Sequence, residues 1–467
     1  MLALAFLLGQ HFMAIVNSVL EMIGDTPMLK LNHFDTGLCE LFVKMESQNP
    51  GGSIKDRIAV RMIEAAEKEG KIKPGGTIIE ATAGNTGLGL GLVAAQKGYK
   101  LILVIPDKMS PEKIRHIRAM GVDVRITRSD VQKGHPEYYQ DYAARLASEI
   151  PDSFYIDQFS NPNNPLTHEN ETGPEILAQM EGRIDAMVVG VGSSGTVTGL
   201  GRFFKQHAPS CEMILADPAG SILTEMVNNG RMTDAGSWLV EGIGEDFIPS
   251  ICDLDLVHKS YAISDKESFQ TQRELLEKEG VIGGSSAGTL LAAALKYCQE
   301  QTTPKRVVTF ICDTGNKYLS KSFNDAWLAD QGLLSRELFG DLRDLIARPA
   351  DTGDIVTVTS EDNLITTYKR MRMFDVSQLP VMDSGQVVGL IDESDILLAI
   401  YGHKEHFNKK VAEVMVTELD IVPPNAEIDA ILPLFKQDKI AIVADSETFY
   451  GLITQIDLIN HLRKTAI

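Results

Sequence analysis

Between residues 40 and 320, short apolar runs alternate with segments whose apolar residues recur at helical spacing, and turn residues separate the two kinds of segment. Runs that are apolar on both faces, joined by crossover helices, predict an α/β fold of mostly parallel sheets covered by helices. The predicted strands are Leu41–Met45, Thr77–Glu80, Leu101–Pro106, Val122–Thr127, Ala186–Gly190, Met213–Asp217 and Val307–Cys312. The predicted helices are Asp56–Glu69, Gly87–Lys97, Ser110–Met120, Thr196–His207, Lys266–Glu279 and Ala287–Gln299.

After residue 340 the pattern repeats itself. The segment Gly389–Leu397 aligns with Gly451–Ile459, 62 residues further on. A strand–turn–strand–helix unit that occurs twice predicts two similar modules packed together. The predicted organisation is an N-terminal extension over 1–12, a main domain over 13–321, a linker over 322–341 and a repeat domain over 342–467, made of modules 342–402 and 410–467.

Composition narrows the class of protein. The 467 residues exceed the usual size of one hydrophobic core, which agrees with several domains. The net charge of −20 argues against nucleic acid or an anionic membrane as a partner. The five cysteines are scattered and form no C-x-x-C pair, which predicts no metal site and favours a reducing cytoplasm. No run reaches the ~18 apolar residues of a membrane span.

The segment from Pro50 to Arg57 carries the first chemical signal. It places Lys55 in a glycine-rich turn directly before a helix-forming run. A lysine amine is a useful nucleophile only when its surroundings lower its pKa or commit it to an imine. A surface lysine beside a helix start would look the same, so this segment alone decides nothing.

Three further loops each precede a predicted helix. Thr82–Gly87 offers hydroxyl and N–H groups that suit a carboxylate, and Gly190–Thr196 offers small residues and donors that suit a phosphate ester. The latter loop lacks the lysine of a Walker motif, and a tight glycine turn remains the alternative. Gly283–Gly288 places serines where one hydroxyl could face a ring nitrogen. The four loops together predict a pyridoxal phosphate site on one sheet.

On these residues the chain resembles a known family. Residues 13–330 are similar to the fold type II pyridoxal phosphate enzymes, and specifically to the cystathionine β-synthase family. The tail resembles a Bateman module of two CBS repeats. The motifs that carry the resemblance are Gly-Gly-Ser-Ile-Lys55-Asp-Arg, Thr-Ala-Gly-Asn85-Thr-Gly, Gly192–Thr196, Glu241-Gly-Ile-Gly244 and Gly-Ser-Ser286-Ala-Gly.

The resemblance implies a role for each loop. Lys55 is expected to form the Schiff base with pyridoxal phosphate and to act on Cα, Asn85 to hold the ring oxygen, and Ser286 to face the ring nitrogen. The phosphate is expected at Gly192, Ser193, Ser194, Gly195 and Thr196. The amino-acid substrates are expected at Thr82, Ala83, Asn85, Thr86, Gln158, Gly242 and Glu245.

The implied reaction is β-replacement, in which L-serine and L-homocysteine give L-cystathionine and water, and cysteine in place of serine would release hydrogen sulfide. Haem is not expected, because no Cys…Pro-His segment precedes the main domain. Ala83 and Glu245 stand where animal members carry serine and tyrosine, which leaves substrate preference open. We hypothesise that Glu245 positions the second substrate.

Asp395, Thr454 and Asp457 match the pattern by which CBS repeats hold a ribose. Asp392 replaces threonine in the first repeat, and its charge favours an uncharged or cationic adenosyl ligand such as S-adenosylmethionine over a nucleotide phosphate. The resemblance also implies a homodimer or homotetramer. The alternatives are O-acetylserine sulfhydrylase (cysteine synthase), a serine or threonine dehydratase, and an adenosyl-ligand sensor with an inactive catalytic domain.

Overall fold

The computed structural model describes residues 15–465 except 83, 108, 335–338, 352 and 354. The predicted extension over 1–12 and the predicted substrate residue Ala83 lie outside the described residues. The chain forms two compact units, which divide between Trp327 and Leu328. No helix among the described residues is long and apolar enough to cross a membrane.

The described residues of the first unit form ten strands. They are β1 (Met28–Lys30), β2 (Glu40–Lys44), β3 (Thr77–Ala81), β4 (Lys100–Pro106), β5 (Asp123–Thr127), β6 (Ser153–Tyr155), β7 (Ala186–Val189), β8 (Glu212–Pro218), β9 (Lys259–Ile263) and β10 (Arg306–Phe310). A six-stranded sheet has the order β1-β2-β10-β7-β8-β9, and a four-stranded sheet has the order β5-β4-β3-β6. Every pair is parallel except β1 with β2.

The structure therefore confirms the α/β fold with mostly parallel sheets, and it corrects the expectation that all four loops belong to one sheet. The loop after β3 belongs to the four-stranded sheet, whereas the loop after β7 belongs to the six-stranded sheet. Apolar runs show that strands are buried but not which strands pair, because every buried strand presents the same pattern.

The helices of the first unit cover both sheets. They are α1 (Lys55–Lys68), α2 (Asn85–Lys97), α3 (Pro111–Ala119), α4 (Tyr139–Glu149), α5 (Asn163–Thr167), α6 (Gly173–Gln179), α7 (Gly195–His207), α8 (Leu223–Asn229), α9 (Asp265–Glu279) and α10 (Ser285–Gln299), and the chain then enters α11 (Asp325–Asp330), within which the two units divide. A π-helical turn, His168–Thr172, joins α5 to α6.

A close helix crossing brings two of the predicted loops together. Gly89 on α2 leaves only 3.1 Å between an ideal Cβ position and the Lys55 carbonyl oxygen on α1, and 3.0 Å to the Ala59 Cβ. A larger side chain at Gly89 would push the two helices apart. The crossing holds the start of α1, with Lys55, beside the start of α2, with Asn85.

The second unit contains the duplicated motif. Its elements are α12 (Leu364–Phe374), β11 (Gln378–Asp383), β12 (Gln386–Asp392), α13 (Glu393–Ile400), β13 (Ile421–Val422), α14 (Leu432–Phe435), β14 (Ala441–Ala444), β15 (Phe449–Ile453) and α15 (Gln455–Thr465). The order β11-β12-α13 matches β14-β15-α15, which confirms the predicted strand–turn–strand–helix repeat. Each copy has its own apolar core.

Candidate active site

A cavity of about 390 Å³ lies in the first unit where the predicted loops meet. Gly195 does not line it, because an ideal Cβ at Gly195 would sit 1.8 Å from Asn164 Oδ1, so the residue is packed against α5. The predicted residues that line the cavity are Lys55, Thr82, Asn85, Thr86, Gln158, Gly192, Ser193, Ser194, Thr196, Gly242, Glu245 and Ser286. The roles of these residues remain predictions, but the structure brings them to one place.

Lys55 begins α1 and is half-buried in the cavity wall. Its Nζ makes no hydrogen bond or ion pair with any described residue, unlike the neighbouring buried lysines. Burial lowers the pKa of the Lys55 amine, while the negative charge of Glu245 opposes the shift. A desolvated amine with no fixed partner is the state in which lysine acts as a nucleophile or base.

The loop before α7 forms a cup of N–H groups. Ser194 caps α7 with a left-handed backbone (φ 68°). Within the described chain, the N–H groups of Gly192, Ser193, Ser194, Gly195 and Thr196 have no acceptor. Consecutive unpaired N–H groups at a helix N-terminus bind anions, and phosphate esters most of all.

Side chains behind the cup hold its hydroxyl groups. Asn164 Nδ2 donates to Ser193 Oγ at 3.0 Å. Thr196 Oγ1 lies 3.3 Å from His168 Nε2, and Thr172 Oγ1 lies 3.0 Å from His168 Nδ1. Burial lowers the pKa of His168 well below its usual value, with the charge of Lys55 adding to the shift. A neutral imidazole therefore supports the cup without adding positive charge.

A second chain of contacts supports the loop before α2. Thr86 Oγ1 donates to Gln158 Oε1 at 2.7 Å, and Gln158 Nε2 donates to Glu80 Oε1 at 3.0 Å. Glu80 is fully buried in β3 and burial raises its pKa well above the usual range, helped by the charge of Asp157. Burial therefore favours the uncharged form of the Glu80 acceptor.

Ser286 lies in the first turn of α10, and burial raises the pKa of the Cys312 thiol to about 12, a shift that the Ser286 hydroxyl opposes. Gly284, just before this turn, leaves 1.9 Å between an ideal Cβ and Asp313 Oδ1. No side chain fits at Gly284, so the Ser286 loop packs directly on the turn that follows β10.

The sequence did not reveal several buried charged residues around the cavity. Glu241 accepts from Lys113 Nζ at 2.6 Å and from Lys321 Nζ at 2.7 Å. Tyr318 OH accepts from Lys113 Nζ at 2.9 Å and donates to Asp313 Oδ2 at 2.7 Å. The turn Asp313–Tyr318 has the polar, glycine-containing composition of the other loops and follows a parallel strand, which is a signal that could have identified it.

Glu245 lies at the cavity beside Gly242, in the segment after Glu241. Its backbone is fixed, since Ser221 Oγ accepts from the Glu245 N–H at 3.1 Å. Tyr138 and Tyr139 also line the cavity, and sequence reasoning did not find them. Burial raises the pKa of Tyr138 to about 12, with the charge of Asp246 contributing.

Two family models match the chain. The model described as pyridoxal-phosphate dependent enzyme covers residues 19–313, and the CBS domain model covers residues 343–402 and 411–464. The chain belongs to the pyridoxal-phosphate dependent enzymes. The enzyme also carries two CBS domains, which confirms the resemblance of the tail.

Known proteins are similar to this chain over most of its length. The enzyme is 36% identical to the cystathionine β-synthase of Oryctolagus cuniculus, over 96% of this chain and 85% of that protein. A hydrogen sulfide-producing enzyme from Fusobacterium nucleatum matches with 37% identity and a TM-score of 0.61, over 65% of this chain and all of that one. The O-acetylserine dependent cystathionine β-synthase from Helicobacter pylori matches with 37% identity and a TM-score of 0.61, over 66% and 99%. The enzyme is thus a pyridoxal phosphate-dependent lyase, of a family whose substrates are small-molecule amino acids.

The cavity residues fit this cofactor. Pyridoxal phosphate needs an amine for its aldehyde, donors for a phosphate and a partner for its ring nitrogen. Lys55 offers the unpaired amine, the loop before α7 offers unpaired N–H groups, and Ser286 offers a hydroxyl group.

The predicted regulatory residues lie in the second unit and cap helices. Thr454 Oγ1 donates to Asp457 Oδ2 at 2.5 Å at the start of α15. Asp392 Oδ1 accepts from the Asp395 N–H at 2.8 Å, and Asp395 Oδ2 accepts from the Asp392 N–H at 3.0 Å. Both contacts stabilise helix starts, and the ligand role of these residues remains a prediction.

His403, Glu405 and His406 in the second unit have potential metal-ligand atoms within 4.8 Å of one another. The two imidazole rings are stacked, with centroids 4.7 Å apart and planes 18° apart. Ring-nitrogen lone pairs lie in the ring plane, so stacked rings do not direct both lone pairs at one ion. This cluster does not overturn the predicted absence of a metal site, which stays a prediction.

Proposed function

We propose that the enzyme catalyses β-replacement on L-serine, in which the hydroxyl group leaves and the thiol sulfur of L-homocysteine takes its place, giving L-cystathionine and water. The observation that carries the proposal is the unpaired amine of Lys55 in one cavity with an anion cup and a loop suited to a carboxylate. The similarity to cystathionine β-synthases supports the choice of reaction within the family.

When bound, pyridoxal phosphate withdraws electrons from Cα of the amino acid attached to it. Lys55 Nζ is the base that removes the Cα proton, and its lowered pKa increases the fraction of neutral amine at neutral pH. Thr82, Thr86 and the N-terminus of α2 bind the substrate carboxylate. Gln158 keeps Thr86 in place through the 2.7 Å hydrogen bond.

The other cavity residues hold the cofactor in this proposal. Gly192–Thr196 bind the phosphate, Asn85 binds the ring oxygen, and the Ser286 hydroxyl faces the ring nitrogen. A hydroxyl partner, unlike a carboxylate, leaves that nitrogen largely unprotonated and so limits electron withdrawal. Prompt loss of the β-substituent is then favoured over other fates of the deprotonated substrate.

Glu245 is the residue that we assign to the second substrate. It lies at the cavity in the segment that begins with Glu241 and continues through Gly242. Its carboxylate suits the ammonium group of homocysteine, because opposite charges attract strongly where burial limits screening. The adjacent tyrosines, Tyr138 and Tyr139, narrow the same side of the cavity.

The main alternative reactions differ in the group that leaves the β-carbon. The Helicobacter pylori relative is named as O-acetylserine dependent, so acetate instead of water could leave from the β-carbon. The Fusobacterium nucleatum relative is named as producing hydrogen sulfide. In the present enzyme, cysteine as the first substrate would release hydrogen sulfide from the β-carbon. The same cavity residues serve each of these replacements, since only the β-substituent differs.

The test uses purified holoenzyme and product analysis by mass spectrometry. Serine or O-acetylserine is supplied with homocysteine or with sulfide, in all four combinations, and cysteine is supplied with homocysteine. The proposal predicts cystathionine from serine plus homocysteine at the highest kcat/KM. Cysteine as the main product from O-acetylserine and sulfide would replace it with cysteine synthase activity. No turnover with any pair would favour the sensor alternative.

For the second unit we propose a regulatory site for an adenosyl ligand such as S-adenosylmethionine, contacted by Asp395, Thr454 and Asp457. The support is the CBS domain match and the hydroxyl–carboxylate pair at the start of α15. A homodimer or homotetramer in the cytoplasm completes the proposal. A thermal shift with S-adenosylmethionine that persists in Thr454→Val would contradict the proposed contact, and sedimentation analysis gives the assembly.

A further inference from the structure

The Asn85 side chain lies between two buried groups, one that accepts hydrogen bonds and one that donates them. Its Nδ2 donates to Asp313 Oδ2 at 2.8 Å, and its Oδ1 accepts from Lys317 Nζ at 2.9 Å. Asp313 and Lys317 are both buried, with 1% and 5% of their surface exposed. An ionised carboxylate only accepts hydrogen bonds, and an ammonium group only donates them.

Asp313 and Lys317 together permit only one orientation of the Asn85 side-chain amide. Rotation by 180° would turn the Asn85 NH₂ group toward the Lys317 ammonium and its oxygen toward the Asp313 carboxylate, and both hydrogen bonds would be lost. The second hydrogen of Nδ2 has no acceptor among the described residues. Since Asn85 lines the cavity, the side chain is a donor for a group bound there.

Lys317 also connects Asn85 to the loop of Lys55. Its ammonium donates to the carbonyl oxygens of Gly51 and Gly52 at 3.0 and 3.1 Å, in addition to Asn85. Each of the three N–H groups of the Lys317 ammonium thus has an acceptor, so the hydrogen-bonding capacity of this buried group is fully satisfied. Burial lowers the pKa of Lys317 to about 8, and the charge of Asp313 opposes the shift.

Asp313 is fixed from its other side. Tyr318 OH donates to the same Oδ2 at 2.7 Å, and Gly284 packs on Oδ1 with no room for a side chain. Asp313 therefore cannot turn away from Asn85 without displacing the loop that carries Ser286. The acceptor that selects the Asn85 orientation is therefore held by a hydrogen bond and by packing.

We propose that Lys317, together with Asp313, is a positioning residue that fixes Asn85 as a hydrogen-bond donor toward an anionic oxygen on the ring of the cofactor. The proposal rests on the assignment of that oxygen to Asn85 made above. Lys317 acts through Asn85 and touches no substrate. The carbonyl contacts to Gly51 and Gly52 offer a competing explanation, in which Lys317 only stiffens the loop of Lys55.

A double-mutant cycle separates these explanations. Holoenzyme is dialysed against graded pyridoxal phosphate and the bound fraction is read from its visible absorbance, for Lys317→Met, Asn85→Ala and the double variant. We expect Lys317→Met to weaken cofactor binding about tenfold in the parent chain and less than about twofold in the Asn85→Ala background. Equal losses in both backgrounds would overturn the proposal in favour of loop stiffening.

Two further variants keep the test decisive. Lys317→Gln retains a donor without the charge and should keep most of the affinity, so a loss equal to that of Lys317→Met would contradict the proposed donor. Lys44→Met removes another buried lysine, one that contacts Glu175 and not Asn85. It should lower the melting temperature while leaving cofactor affinity unchanged. If Asn85→Ala alone leaves cofactor binding unchanged, then Asn85 does not bind the ring oxygen of the cofactor. The single variant therefore tests that assignment separately from the role of Lys317.

Discussion

Gln158 Nε2 donates to Glu80 Oε1 across 3.0 Å, and both residues are buried behind the loop that we assign to the substrate carboxylate. Glu80 Oε2 has no partner among the described residues, so the acid is stabilised in its neutral form. Burial thus favours an uncharged carboxyl group at Glu80, which holds the amide that orients Thr86 and which an amide side chain could replace.

Glu80→Gln should preserve activity and change the pH dependence of stability. Burial raises the folded-state pKa of Glu80 well above the usual glutamate value of 4.5. The folded state then binds more protons than the unfolded state, so this stabilisation is present below pH 4.5 and is lost as pH rises toward the folded pKa. The melting temperature of the variant relative to the parent should increase between pH 5 and pH 8.

Melting curves at three pH values in that range test this expectation, with Glu149→Gln, an exposed residue of the same unit, as the matched control. A parent–variant difference that stays constant with pH would show that Glu80 is ionised in the folded protein.

Gly192→Ala should disrupt the cup. An ideal Cβ at this position lies 2.4 Å from the Gly242 carbonyl oxygen, so one backbone segment must move. Overpacking of this kind costs about 1–3 kcal/mol, and the displaced N–H groups should weaken cofactor binding at least tenfold. The cofactor dissociation constant is the measurement.

Gly98→Ala is the control for this change, because its Cβ would meet no atom within 4 Å although its φ of 74° is unfavourable for alanine. It should lower stability by about 1 kcal/mol without affecting the cofactor. Equal losses of cofactor affinity in both variants would mean that the cup is not the phosphate site.

Glu245→Ala should raise the KM for homocysteine more than the KM for serine. The expected factor is about 10 to 150, because loss of a charge-assisted hydrogen bond costs about 1.5–3 kcal/mol. Asp246→Ala is the control, since the adjacent carboxylate also lines the cavity but is exposed. An unchanged ratio of the two KM values in Glu245→Ala would contradict the assignment.

Short sequence motifs predicted the loops of the candidate site. The residues that support those loops depend on contacts between distant parts of the chain, which the sequence does not show. The loops before α2, α7 and α10 were found because glycine, serine, threonine and asparagine before a helix have a direct physical reason. Glu80, His168 and Lys317 were missed because each acts on a residue far away in the sequence. Gly195 packs against Asn164 and its role at the phosphate stays a prediction, since in the sequence a glycine needed for close packing looks the same as one needed for a ligand.

The assignment of two sheets instead of one has a similar explanation. β3 and β7 present the same fully buried apolar run, so the sequence does not distinguish membership of one sheet from membership of two. The duplicated motif of the second unit was predictable because an internal repeat compares the chain with itself and needs no knowledge of strand pairing.

Lys55 is the residue that we propose to hold the cofactor, and among the residues that the structure describes three lysines line the cavity: Lys55, Lys113 and Lys321. Reduction of the holoenzyme with sodium borohydride makes the bond between the cofactor and its lysine permanent, and peptide mass spectrometry then locates it. The account predicts that the label lies on Lys55 alone, because Lys113 and Lys321 are bound to Glu241. A label on Lys113 or Lys321 would contradict it.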